Sequence, residues 1–149
     1  MKMTECTAQD VQCAAALFNA YRMFYEQESD LPACHAFIKD NVENRRSRVF
    51  LLFDAAGKAL GFAQLYPSYC SISMQPYYYL SDLYVDPSAR KKGHARYLMQ
   101  ALTAQFTAEG AQRLTLDTAT GNRIAQRLYE SLGYRQEQVY ITYHRILNE

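Results

Sequence analysis

The residues with the clearest chemical potential lie in one stretch, residues 80–95, which reads LSDLYVDPSARKKGHA. This pattern predicts a strand, then a proline turn, then a loop of basic and small residues that begins a helix. The first backbone amides of a helix have no partners within it, and the helix dipole adds partial positive charge there. Such a helix start suits a phosphate or a pyrophosphate.

The composition of this loop favours the anion-binding interpretation. Gly93 and Ala95 keep large side chains away from the backbone. The cations of the segment are Arg90, Lys91, Lys92 and Arg96. No acid occurs between Asp86 and Glu109, so nothing in the segment offsets this charge. The alternative interpretation is a solvated basic helix start, because one glycine-containing loop is a weak signal.

The elements that must position this segment follow from the spacing of apolar residues along the rest of the chain. Helical periodicity predicts helices over residues 11–27, 31–47, 93–109 and 122–132. Extended patterns predict strands over 49–53, 59–66, 77–85, 113–117 and 134–147, with a loop or broken strand at 67–76. This order predicts a mixed α/β domain built on one central sheet.

Length and composition limit the classes to which the protein can belong. The 149 residues, 49% apolar and 21% charged, are typical of one globular domain, which we predict spans residues 1–149. A net charge of +1 argues against a nucleic-acid binder. Four cysteines and three histidines are widely spaced, which argues against a metal site or a disulfide framework. The sequence shows neither a signal peptide nor a membrane-spanning run, so we expect a cytoplasmic protein.

The chain is also rich in aromatic residues, with thirteen tyrosines and seven phenylalanines. Six of the tyrosines cluster around the predicted hairpin and central strand: Tyr66, Tyr69, Tyr77, Tyr78, Tyr79 and Tyr84. Packing on the faces of the sheet explains much of this cluster. Tyrosines at the mouth of a strand also offer walls for a substrate pocket, or ring faces on which a cation stacks.

Two motifs together point to a known family. Arg90-x-x-Gly93-x-Ala95 after the proline turn resembles the acetyl-CoA signature R/Q-x-x-G-x-G/A of the GNAT N-acetyltransferase superfamily. Residues 122–134, NRIAQRLYESLGY, are similar to the family's N-x-x-A-x-x-x-Y-x-x-x-G-[FY] helix. The one departure is Ala95 in place of the last glycine, which bears on how closely the pyrophosphate approaches. Two motifs in the right order, each in its strand–helix context, are more specific than either alone.

The resemblance implies an α/β GNAT fold, with a mixed sheet of about six to seven strands flanked by four helices. It also implies acetyl-CoA as co-substrate, with the pyrophosphate on the amides of residues 91–96. The pantetheine arm would pair with the strand that ends at Val85, and Asn122 would hydrogen-bond to it. The implied cofactor-binding residues are Leu83, Tyr84, Val85, Arg90, Lys91, Lys92, Gly93, His94, Ala95, Arg96 and Asn122.

Two residues receive catalytic roles from the same resemblance. Tyr129 stands at the position of the general acid, which protonates the departing thiolate. Asp82 stands where the histone- and polyamine-acetylating branch carries an acid that attracts the ammonium, although Ser81 replaces the base of that branch. The structural alternatives are that Tyr129 packs its helix on the sheet and that Asp82 pairs with an arginine or caps a loop.

The leading hypothesis is therefore an acetyl-CoA-dependent N-acetyltransferase that acts by direct transfer in a ternary complex. The expected acceptor is a primary amine of polyamine or lysine type, on a small molecule or a peptide. The alternatives are an acetyltransferase for another amine (an amino acid, an aminoglycoside or a protein N-terminus) and a non-catalytic acyl-CoA-binding sensor. We also predict a homodimer, with no metal, nucleic-acid or membrane partner.

Overall fold

A computed structural model describes residues 1–148. The chain divides into two compact units, Met1–Asp117 and Thr118–Glu149. Among the described residues, no helix is both long enough and apolar enough to cross a bilayer.

The first unit holds a five-stranded sheet and three α-helices. Its elements in chain order are β1 (Lys2–Glu5), α1 (Val11–Phe24), α2 (Leu31–Glu43), β2 (Arg48–Phe53), β3 (Ala59–Cys70), β4 (Gln75–Val85), α3 (His94–Ala108) and β5 (Leu114–Thr115). Short 3-10 turns at Ala8–Asp10 and Pro87–Ala89 precede α1 and follow β4. The described part of the second unit holds one helix, α4 (Arg123–Ser131).

The strands lie in the order β1-β2-β3-β4-β5. The first three pairs are antiparallel and the last, between β4 and β5, is parallel. Phe106 of α3 packs on Phe50 of β2, with ring centroids 5.7 Å apart. Phe18 of α1 packs on Phe62 of β3 at 6.2 Å. Phe50 pairs with Ala63, whose side chain points away from that of Phe62, so α1 and α3 cover opposite faces of the sheet.

A bulge interrupts β4 where it approaches the predicted site. Gln64 of β3 pairs with Asp82, but the next residue, Leu65, pairs with Leu80, so Ser81 is the extra residue on β4. On the other side of β4, only Tyr78 and Tyr79 pair with β5. Within the described first unit, residues 80–85 of β4 therefore have no strand partner on the β5 side.

Gly61 brings the start of β3 close to the end of β4. A Cβ atom on Gly61 would lie 2.4 Å from the carbonyl oxygen of Tyr84 and 3.2 Å from Cα of Val85. Only glycine allows this approach, so Gly61 sets the position of the end of β4, where the cofactor is expected to bind.

The expected α/β architecture with one mixed sheet and four α-helices is confirmed over residues 1–148, and three details are corrected. The described residues form five strands, where six to seven were expected. Residues 134–147, expected to be extended, form no strand, because an apolar alternation makes a strand only where a neighbour completes the hydrogen-bond ladder. The stretch 67–76, expected to be a loop or a broken strand, instead continues β3 to Cys70, and a tight turn then leads into β4.

Candidate active site

The start of α3 has the geometry expected of an anion site. Gly93 precedes the helix with a φ of +78°, which favours glycine, and a Cβ atom there would meet nothing within 4 Å. The amide of Tyr97 donates to the carbonyl of Gly93 at 3.0 Å, so the amides of residues 94–96 come before the first turn closes. Because α3 has 15 residues, its dipole adds to the positive potential at these amides.

The basic side chains of this loop do not all behave alike. Lys91 and Lys92 are exposed. Arg90 instead turns back on the protein: its Nε donates to the carbonyl oxygen of Val85 at 2.9 Å. Its guanidinium carbon also lies 4.8 Å from the ring centroid of Phe24 and 5.5 Å from that of Tyr84. Arg90 therefore shapes the loop as well as adding charge to it.

His94 provides a test of whether this loop fits a cofactor. Its Nδ1 atom is buried and has no hydrogen-bond partner among the described residues. Buried polar atoms are nearly always satisfied, and an orphan at the start of a helix is a place that a ligand oxygen or a water completes. The residues of this loop therefore fit the phosphate groups of acetyl-CoA.

The strand edge beside this loop fits the rest of the cofactor. Tyr84 and Val85 are buried, and Leu83 is half-buried. Their backbone lies in the part of β4 that has no β5 partner among the described residues of the first unit. An extended ligand arm with amide groups can hydrogen-bond to such an edge as an added strand does.

Asp82 lies beside the bulge and is hydrogen-bonded to a buried side chain of β3. Gln64 Nε2 donates to Asp82 Oδ2 at 2.8 Å. Burial raises the pKa of Asp82, and the polar groups of Gln64, Tyr21 and Ser81 lower it in part, since they favour the charged form. The carboxyl is therefore a stronger base than an ordinary aspartate.

Three tyrosines surround this carboxyl. Burial, followed by the charge of Asp82, raises the pKa of both Tyr21 and Tyr66. A hydrogen bond to Asp117, with burial and the charges of Asp117 and Asp82, raises the pKa of Tyr79 to about 12. All three phenols therefore stay protonated near neutral pH. A carboxylate with several neutral tyrosines near it suits an ammonium group.

The two remaining site residues lie in the second unit. Asn122 is the N-cap of α4, where its Oδ1 accepts a hydrogen bond from the amide of Ala125 at 3.2 Å, a bond that does not use Nδ2. Tyr129 is half-buried on α4, and its ring centroid lies 6.0 Å from that of Tyr134. Gly133, whose φ is +92°, follows the C-cap residue of the helix, Leu132. The predicted site residues thus fall into two groups, one in each unit.

Sequence reasoning missed the buried polar residues that support Asp82. These are Gln64, Asn41 and Ser47, which are 0%, 2% and 4% exposed. The available signal was Gln64 itself, the one polar residue in the apolar run at 59–65. A buried glutamine in a strand must hydrogen-bond to other polar groups, and the residue paired with Gln64 on β4 is Asp82.

Comparisons with known proteins agree with this geometry. A model of the acetyltransferase (GNAT) family matches residues 14–134. The chain is 41% identical over 143 residues to the uncharacterized N-acetyltransferase YhfO of Bacillus subtilis, an alignment that covers 96% of this chain and 95% of that protein.

Two further proteins show the range of the family. The crystal structure of a probable acetyltransferase superposes with a TM-score of 0.94 at 30% identity and covers 100% of this chain and 99% of its own. An aminoglycoside N(6')-acetyltransferase of Salmonella typhimurium is 31% identical over 96 residues, which cover 61% of this chain and 65% of that enzyme. The family model and these relatives show that the chain belongs to the acetyltransferase (GNAT) family and is an N-acetyltransferase.

Proposed function

We propose that the protein transfers the acetyl group of acetyl-CoA directly to a cationic primary amine of polyamine or lysine type. Acetyl-CoA, which GNAT acetyltransferases use, supplies the acetyl group as an activated thioester. The observation that carries the choice of acceptor is the Asp82 carboxyl, ringed by the tyrosines Tyr21, Tyr66 and Tyr79. Charge and ring faces together favour an ammonium over a neutral amine.

The loop and the strand edge bind the co-substrate in this proposal. Residues 91–96 offer backbone amides at the start of α3, and Lys91 and Lys92 add exposed positive charge. The backbone of residues 83–85 pairs with the pantetheine arm, and Asn122 hydrogen-bonds to that arm through Nδ2. The stretch of β4 that has no β5 partner among the described residues gives the thioester access to the acceptor side of the sheet.

Asp82 and Tyr129 handle the acceptor and the protons. An alkylammonium has a pKa of about 10.4 and must lose a proton before it attacks. Asp82 attracts and orients the ammonium, and its raised pKa lets it share in removing that proton together with water. The neutral amine then forms a C–N bond to the acetyl carbon, the C–S bond breaks, and Tyr129 donates its phenol proton to the departing thiolate. The proton that the newly bonded nitrogen loses restores the Tyr129 phenol. The alternatives of a structural Asp82 and a purely packing Tyr129 are decided by substitution.

One experiment separates this proposal from its alternatives. Acetyl-CoA binding is measured by calorimetry, and release of free thiol is followed without an amine and with spermidine, a lysine peptide, an amino acid, an aminoglycoside or a peptide with a free N-terminus. We expect the highest kcat/KM with spermidine or the lysine peptide. Preference for one of the other amines would contradict the choice of acceptor. Tight acetyl-CoA binding with no turnover of any amine would favour the sensor.

The assembly and location of the enzyme belong to the same proposal. We propose one acetyltransferase domain over residues 1–149 that forms a homodimer in the cytoplasm. The family match spans both compact units, which supports a single domain. Light scattering coupled to size-exclusion chromatography measures the mass of the particle, and a monomer mass of 17.2 kDa would contradict the dimer.

A further inference from the structure

We propose that Gln64 is the positioning residue of the acceptor site and that it holds the Asp82 carboxylate in place for the incoming ammonium. This inference rests on the proposed function, because it assigns a task to Asp82 in acceptor binding. Gln64 lies in β3 directly opposite Asp82 and is 0% exposed. It does not touch the substrate, so it acts through Asp82.

Both ends of the Gln64 amide are hydrogen-bonded. Its Oε1 accepts from Ser47 Oγ at 2.8 Å and from Asn41 Nδ2 at 3.0 Å. Its Nε2 donates to Asp82 Oδ2 at 2.8 Å. Asn41 Nδ2 also lies 3.3 Å from the hydroxyl oxygen of Tyr66, so these hydrogen bonds extend to one of the three tyrosines near Asp82. A buried row of polar groups thus runs from α2 and the start of β2, through β3, to the carboxyl on β4.

This row fixes the direction in which the amide points. With two donors on Oε1, the NH₂ group of Gln64 must face Asp82. The reversed amide would bring its NH₂ group against that of Asn41, and its oxygen against the charged oxygen of Asp82. Ser47 and Asn41 therefore orient Gln64 as a donor, and Gln64 in turn favours the ionised form of Asp82.

The number of donors on the carboxylate shows what this arrangement leaves for a ligand. A carboxylate has about four acceptor positions on its two oxygens. Gln64 Nε2 occupies a position on Oδ2 at 2.8 Å, and this buried donor holds the carboxylate still while an ammonium binds to the other positions.

The charged and titratable groups around Asp82 come from several elements. Tyr21 faces it from α1, Tyr66 from β3 and Tyr79 from β4. Tyr79 in turn hydrogen-bonds to Asp117, and the charge of Arg46 acts on Tyr66. Gln64 has no charge. Replacing it therefore changes the pKa of Asp82 without changing the charges of the surrounding titratable groups.

The test measures the ionisation of Asp82 in the free protein by carboxyl carbon NMR titration. We expect Gln64→Leu to raise the pKa of Asp82 by about one to two pH units, which is typical of a lost hydrogen bond to a charged group. Gln64→Glu keeps the shape but places a second carboxyl opposite the first, so we expect a larger rise. Ser47→Ala removes one of the two donors that orient Gln64 and should give a smaller rise.

The same variants are assayed with the best amine. We expect KM for the amine to rise about tenfold in Gln64→Leu while acetyl-CoA affinity stays the same, and the acidic limb of kcat/KM to move upward with the pKa of Asp82. If Gln64→Leu does not fold, Gln64→Glu and Ser47→Ala carry the test. A pKa for Asp82 that is equal in wild type and all folded variants overturns the role of Gln64, whatever the acceptor is.

A separate result would overturn the proposed function. If Asp82→Asn has the wild-type KM for every cationic amine, the cationic-acceptor proposal fails. The effect of Gln64 on the pKa of Asp82 is then still decided by the titration alone. If Asp82→Asn raises KM and the Gln64 variants shift neither the pKa nor KM, Asp82 serves the acceptor without help from Gln64. The two failures are therefore distinguishable.

Discussion

Arg90 Nε donates a hydrogen bond to the carbonyl oxygen of Val85 at 2.9 Å, which closes the segment between the end of β4 and the start of the basic loop. Within this segment, the carboxyl of Asp86 accepts from the amide of Ser88 at 2.9 Å and holds the Pro87–Ala89 turn. The strand edge and the helix start are thus connected by fixed contacts. These contacts shape the segment that joins the two parts of the proposed acetyl-CoA site.

We predict that Gly93→Glu abolishes acetyl-CoA binding. The new side chain would put negative charge at the start of α3, where the pyrophosphate is expected, and would repel it. It would also force a residue with a Cβ atom to adopt a φ of +78°. Calorimetry with the folded variant measures the loss.

Gly110→Glu is the matched control for this change. Gly110 follows the other end of α3, has a φ of +83°, and likewise has nothing within 4 Å of its missing Cβ. The control therefore carries the same backbone strain and the same added charge, away from the helix start. Wild-type affinity is expected for Gly110→Glu. Equal affinities in the two variants would place the pyrophosphate elsewhere.

Tyr129→Phe tests the general acid. The ring stays, so packing and acetyl-CoA affinity should change little, and kcat should fall by about 10²–10⁴ because the proton donor is lost. Tyr134→Phe removes the same atom from the ring beside it and should keep kcat near wild type. An unchanged kcat in Tyr129→Phe, with chemistry shown to limit the rate, would make Tyr129 a packing residue.

Much of the fold was predictable from the sequence because local signals there are strong. The cap at Asp30 and the proline after it mark the start of α2, and the side chain of Asp30 does accept from the amide of Ala33 at 3.1 Å. The strand β1 was not predicted, because four residues carry too little pattern and its pairing with β2 is a tertiary contact. The bulge at Ser81 likewise depends on register, which no single segment encodes.

The candidate site was predictable only where chemistry follows a motif. Residues 90–96 and Asn122 are assigned through their resemblance to the family's motifs, and their roles in binding remain predictions. Gln64 was not named, because its role depends on a cross-strand neighbour 18 positions away. Arg90 was named for its charge, whereas its contact with Val85 required the fold.

Asp82→Asn is predicted to raise KM for cationic acceptors by about tenfold or more and to leave acetyl-CoA affinity intact. The asparagine keeps the shape but cannot attract an ammonium by charge or take its proton. Because activity requires the ionised carboxyl, wild-type kcat/KM should fall as pH drops through the pKa of Asp82, and this limb should be absent from the variant. Steady-state kinetics with spermidine and a lysine peptide measure both effects. Wild-type KM and pH profile in the variant would make Asp82 structural.

The same substitution should stabilise the fold at neutral pH. Burial raises the pKa of Asp82 in the folded state, so its contribution to stability is fully present below its unfolded pKa of about 3.9 and is lost as pH rises through the folded value. Above that value the wild type holds a poorly solvated charge that asparagine lacks. We therefore expect a higher Tm for Asp82→Asn at pH 7–8. Each pH unit of the shift corresponds to about 1.4 kcal/mol, or about 3–6 °C in a chain of this size.

Glu109→Gln is the control of opposite sign for this prediction. Arg48 lowers the pKa of Glu109 in the fold and forms an ion pair with it at 2.8 Å. A lowered pKa contributes stability above the unfolded value, and this contribution is lost as pH falls through the folded one. Glu109→Gln should therefore lower Tm at pH 7, and the difference in Tm from wild type should shrink as the pH falls. The gain in Tm expected for Asp82→Asn should also shrink as the pH falls. A lower Tm for Asp82→Asn at pH 7–8 would mean that its hydrogen bond to Gln64 outweighs the cost of the buried charge.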